Sequence, residues 1–80
     1  MENRPLELLE LLGTEHETLT AIKEKTEALM LEMLKKKGND LIKEKAGDLH
    51  RRTEQALRIN YIERNKIINY IIGGADGTRN

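Results

Sequence analysis

The groups in this sequence with the types to do chemistry are two histidines, three adjacent lysines, a glycine-rich C-terminus and a set of arginines in the second half. Glu15-His16-Glu17 places three metal-binding side chains in a row. On a helix, however, neighbouring residues diverge by about 100°, so the three cannot converge on one ion. If the chain folds back at 38–39, His16 comes opposite residue 61 and His50 opposite residue 27, too far apart for a shared metal. No Glu-x-x-His of the di-iron bundle kind, HExxH, glycine-rich phosphate loop or nucleophile elbow occurs. Serine and cysteine are both absent, which removes the usual hydroxyl and thiol nucleophiles. The expectation is a protein that is not an enzyme, with no catalytic residue, no metal site and no cofactor.

Two charged features have a bland and a functional reading. Gly73-Gly74-Ala75-Asp76-Gly77 has the composition of an anion cradle, but no helix follows to supply free N–H groups. It reads as a helix stop followed by a polar tail. Arg51, Arg52, Arg58 and Arg64 with Tyr61 are the best candidates for a nucleic-acid face. The alternative is a solvated helix surface. The 14 basic residues are balanced by 14 acidic ones, whereas a dedicated nucleic-acid binder carries a basic excess.

The elements that would position these groups are helices. Asn3 is placed to N-cap a first helix, with Pro5 in its first turn, where a missing N–H costs nothing. Leu8, Leu12, Glu15, Leu19, Ile22, Thr26, Leu29 and Met33 then alternate steps of four and three, the period of a bundle or coiled-coil helix. This predicts one helix over about 4–36, bent at Gly13 or restarting at a Thr14–Glu17 capping box. Lys35-Lys36-Lys37 suits a last turn, Gly38 a C′ position, and Asn39 or Asp40 the next N-cap, which puts a turn at 37–40. A second helix follows over about 41–72, with a stripe of Ile42, Ala46, Leu49, Thr53, Ala56/Leu57, Tyr61, Ile68 and Ile71/Ile72 that slips near 57–61. Gly47 offers a possible break, and residues 73–80 read as a disordered tail.

The densest apolar stretch is 59–72, with six isoleucines, both tyrosines and the tetrapeptide Ile-Asn-Tyr-Ile twice, at 59–62 and 68–71. An offset of nine residues is about two and a half helical turns, so the copies point to opposite sides. Such a helix is apolar on more than one face and needs more than one neighbour. Asn60, Asn65 and Asn69 lie within it, and a buried unpaired amide costs about 1–3 kcal/mol. Each amide would bond either the other helix or a docked peptide. The candidate partner-binding residues are Ile59, Asn60, Tyr61, Ile62, Asn65, Ile67, Ile68, Tyr70 and Ile71.

Composition sets the scale. Eighty residues form one domain, and with no Trp or Phe its core is thin. A domain of this size buries only about 60% of its unfolded surface, and no disulfide staples it. Oligomerisation or a partner would supply the missing support. Residues 2–32 carry eight acids and three bases, and residues 35–66 five acids and ten bases, a complement that suits antiparallel helices. No signal peptide is visible, and no apolar run approaches the length of a membrane span. With no cysteine, this fits a cytoplasmic protein.

Leu8-Leu9-Glu10-Leu11-Leu12, Glu15, Glu17 and Glu24-Lys25-Thr26-Glu27-Ala28-Leu29 resemble the opening helix of FlgN-type flagellar export chaperones. Ile59-Asn60, Glu63-Arg64-Asn65 and Ile67-Ile68 are similar to the late helical segment of that family. The resemblance covers about half of the chain in two blocks, and members of the family are roughly twice this length. It implies a cytosolic helical chaperone that holds hook-associated proteins by their helical C-termini, with Ile59, Asn60, Asn65, Ile67 and Ile68 in the recognition segment.

The sequence therefore predicts an all-α antiparallel helical hairpin that completes a coiled-coil or four-helix bundle by dimerisation or partner binding. Its expected function is non-catalytic protein binding, with a structural or regulatory coiled-coil homo-oligomer, or a small nucleic-acid-binding regulator, as alternatives. The expected partner is the helical segment of another protein or a second copy of the chain, not nucleic acid.

Overall fold

A computed structural model of the protein describes residues 3–36, 38 and 40–74. Two helices account for nearly all of them: α1, Arg4–Leu34, and α2, Asp40–Gly74. They pack against each other as a hairpin 59 Å long, 21 Å broad and 14 Å thick. Asn3 takes the N-cap position without a side-chain cap bond, and its carbonyl accepts from the Glu7 N–H at 3.0 Å. Pro5 sits in the first turn. Thr14 does not restart the helix. Its hydroxyl donates to the Glu10 carbonyl one turn back, the bond open to a threonine inside a continuous helix.

The lysines do not occupy the last turn of α1. Lys35 is the C-cap, its N–H donating to the Glu32 carbonyl at 3.1 Å, and Lys36 beyond it donates its N–H to the Met33 carbonyl at 3.2 Å. The chain reverses at Gly38, whose φ of 87° lies in the region that a residue with a Cβ enters at a cost. Helix α2 runs through Gly47 without a break; a Cβ there would meet only the Met30 sulfur, at 3.8 Å. The helix also takes in Gly73 and Gly74, so the stop comes later than those glycines suggested. The expected tail beyond 74 lies outside the described residues.

The seam between the helices follows a seven-residue repeat on both sides. On α2, Ala46, Thr53 and Asn60 are buried and Ile67 half-buried, flanked by half-buried His50, Leu57, Arg64 and Ile71. On α1, Leu12, Leu19, buried Thr26 and Met33 form the matching row, flanked by Leu9, His16, Lys23 and Met30. A sustained spacing of seven is the mark of supercoiled helices. The expected slip near 57–61 does not occur. Asn60 continues the buried row, and Tyr61, placed on the stripe by its ring, is 60% exposed.

The buried positions are small or polar. Ala46 is the one fully buried apolar residue described, beside Thr26, Thr53 and Asn60. Thr26 and Thr53 satisfy their hydroxyls by donating within their own helices, to the Lys23 and Leu49 carbonyls at 2.9 and 2.7 Å. Small side chains let the backbones approach, but they exclude little apolar surface from water, so the seam draws little on the hydrophobic effect.

Of the ion pairs, Arg51–Asp48 and Lys66–Glu63 lie within α2, and His50 lies 3.0 Å from Glu27 across the seam.

Gly13 has an ordinary helical φ, and a Cβ built on it meets nothing within 4 Å. Gly13→Ala is therefore expected to raise stability by about 0.5–1 kcal/mol, the helix-interior cost of glycine relative to alanine. Urea unfolding followed by circular dichroism measures it, and a destabilised variant would contradict the open space seen there.

Candidate functional site

The antiparallel pairing brings the start of α1 beside the end of α2, and the apolar side chains concentrate at this open end. Leu6, Leu8 and Leu11 on α1 and Ile59, Tyr61, Ile62, Ile68, Tyr70 and Ile72 on α2 are all exposed. An exposed apolar surface of this extent is a candidate docking surface.

The nine candidate residues divide between two surroundings. Ile59, Tyr61, Ile62, Asn65, Ile68 and Tyr70 face solvent, Ile68 being close to half-buried. Ile67 and Ile71 belong to the seam rows and are half-buried against α1. Asn60 is 1% exposed. Of the two uses open to its amide, the inter-helix bond is the one observed. Nδ2 donates to the Leu12 carbonyl at 2.8 Å and to Glu15 Oε1 at 2.7 Å. Both amide hydrogens are thereby used on α1.

Beside Asn60 the seam stays polar. Arg64 Nη2 lies 3.4 Å from His16 Nδ1, a contact in which the arginine donates and Nδ1 carries no proton. His16 thus meets residue 64 rather than 61, because position 61 lies on an outward row and 64 on a facing one. His50 meets Glu27, the residue its place in the hairpin predicts. Asn60 Oδ1 and Arg64 Nε are buried without a partner. One is an acceptor and the other a donor, one helical turn apart, so each is of the kind that the other lacks.

Among the described residues no group of three or more histidines, cysteines or carboxylates is placed to hold a metal ion. The groove nearest the turn, lined by Glu27, Met30, Leu31, Leu34 and Lys43, is open to solvent, so it does not shield a reacting group from water. Among the described residues no helix is long and apolar enough to cross a membrane.

Sequence reasoning missed the contribution of α1 to this end. The signal was present: five of the seven residues from Leu6 to Leu12 are leucine, which wraps a helix on more sides than one neighbour can cover. It also missed Arg64, which reads as a surface charge until its row is fixed by the spacing from Leu57 and Ile71.

No family model, curated protein or solved structure matches the chain. The site is therefore read from its own geometry.

The buried amide gives a direct test. Asn60→Ala removes both bonds to α1 and is expected to lower the unfolding free energy by about 1–3 kcal/mol. A urea midpoint that does not move would show that the amide contributes nothing to holding the helices in register.

Proposed function

We propose that this protein is a non-catalytic helical module of the cytoplasm that captures a helical segment of a partner protein at the open end of the hairpin. One observation carries the reading: Tyr61, Ile62 and Ile68 are exposed together on the far part of α2, with Leu6 of α1 exposed at the same end. Leaving these side chains in water forgoes about 1.5–3 kcal/mol of burial for each large one, and a docked amphipathic helix recovers it. The polar layer at Asn60 and Arg64 holds the two helices in one register beneath this surface, so the docking face is presented in a fixed shape.

The resemblance to FlgN-type export chaperones gives the capture reading a concrete form, in which the docked segment is the helical C-terminus of a hook-associated protein. The sequence blocks that carry the likeness include Leu8–Leu12 and Ile59–Ile68, and both contribute to the open end. We also take the hairpin to be one half of a homo-oligomeric bundle, since each helix leaves an apolar row uncovered by the other.

Ile62→Asp tests the capture reading. Ile62 lies outside the seam, so the variant is expected to keep its helical circular dichroism. It should lose at least tenfold in affinity for a purified C-terminal helical segment of a hook-associated protein, measured by calorimetry. If the unmodified chain shows no binding to such segments at 100-micromolar concentrations, the export-chaperone form of the proposal fails.

A further inference from the structure

The seam does not run down the middle of the apolar stripe on either helix. Asn60, in the row 46–53–60–67, bonds Glu15, in the α1 row 8–15–22–29. His50, in the row 50–57–64–71, bonds Glu27 on the opposite flank of α1. These two contacts fix which rows lie together. Row 8–15–22–29 of α1 and row 42–49–56–63–70 of α2 border the seam on the same side. Leu8, Ile42, Leu49 and Tyr70 in these rows are exposed, and Ile22, Leu29 and Ala56 only half-buried. The other side of the seam carries Gly13, Thr20, Glu27, Gly47 and Glu54 along its middle and is apolar only at its ends. One broad face is thus apolar along its length, unlike the partner surface, which is confined to the open end.

We infer that a second copy of this chain covers the broad face, with the two hairpins packed end for end so that the turn of each lies at the open end of the other. The inference rests on the homo-oligomer reading above and names its face and polarity. Three observations select this occupant. A hairpin with so few buried apolar residues needs a cover for its helices to persist, and its own copy is always present with it. The apolar rows run the length of both helices, on the broad side of a hairpin 59 Å long and 21 Å wide, which leaves room for the roughly 800 Å² per partner of a standard interface. Charge then chooses the polarity. Each apolar row is interrupted once, by Glu15 on α1 and Glu63 on α2, at the same level of the hairpin.

Two copies side by side with their turns at the same end would stack Glu15 of one on Glu63 of the other, carboxylate on carboxylate. Reversed and fully overlapped, Glu63 comes level with Arg52 of the other copy, and Glu15 with Lys25. Arg52 and Lys25 both lie exposed on the rim of this face. A two-fold axis across the helices makes both contacts twice, as a self-complementary interface requires. The acidic row Glu10, Glu17 and Glu24 of α1 is then turned away from the contact.

Sedimentation equilibrium of the full chain decides the matter. The expected mass is twice 9.2 kDa at tens of micromolar. Glu63→Arg and Arg52→Glu are each expected to weaken the dimer at least tenfold, and the two together to restore it. The two positions are eleven residues apart on one helix, about 16 Å, so they cannot meet within a chain, and recovery reports a contact between copies. Ile62→Asp, off this face, is expected to leave the mass unchanged, which separates this inference from partner capture. A monomer at every concentration, a mass other than the dimer's, or a double variant no better than either single one would overturn it. If a single variant unfolds, the double variant still decides the question, because helicity and mass must then return together.

Discussion

The hairpin depends on a seam that is thin and polar. Two helices of more than thirty residues meet along rows in which alanine, threonine and asparagine hold the buried places, and Asn60 crosses the seam to the Leu12 carbonyl and Glu15. Apolar contact is non-directional and would tolerate a helix sliding by one turn. An amide with both hydrogens committed would not, because sliding leaves a buried polar group unpaired. A single buried asparagine acting on register at some expense of stability is a known device of coiled coils. Here it sits at the level where the apolar open end begins, so the same contact fixes the shape of the surface above it.

From this seam follows the placement of the large apolar side chains. Because the most deeply buried places hold small or polar residues, the leucines and isoleucines of the seam rows are only half-buried, and the other leucines and isoleucines and both tyrosines stand on the flanks and beyond. They form two surfaces of different character. One is a full-length row bordered by Lys25 and Arg52, the other a patch at the open end around Tyr61, Ile62 and Ile68. Neither is covered within one chain. In the proposed assembly these side chains gain their burial between chains, so folding and binding draw on the same residues.

Much of the fold was legible in the sequence, and the parts that were not share a cause. The turn at Gly38 and the helical character of both segments followed from punctuation and period. The α1 stripe took in the seam row Leu12, Leu19, Thr26 and Met33, together with the row Leu8, Glu15, Ile22 and Leu29 that borders the seam. On α2 the stripe was traced through the largest apolar residues, which led to Tyr61 and Ile68 and required a slip. The buried row, read as far as Ala46 and Thr53, continues instead to Asn60 at the same spacing of seven. A search for apolar residues passes over such a row, whereas a search for constant spacing, blind to polarity, finds it. The segment 59–72 was read as apolar on more than one face, and Ile59, Tyr61, Ile62, Ile68, Tyr70 and Ile72 are exposed; which of its residues face inward depends on register, and register was set by a polar residue. Gly47, where a break was left open as the alternative to a continuous helix, and Gly73-Gly74, read as a stop, are helical because glycine lowers helix propensity by only about 1 kcal/mol, less than a continuous helical context supplies.

The central claim is that one chain does not bury enough to stand alone and that association completes the fold. The most direct measurement is the thermal midpoint of the full-length protein, followed by far-ultraviolet circular dichroism across a hundredfold range of concentration. If association is part of the folded state, the midpoint rises with concentration, since mass action favours the assembled form. A midpoint that is constant over that range, with full helicity at the lowest concentration, would mean that the polar seam suffices by itself, and would contradict the account.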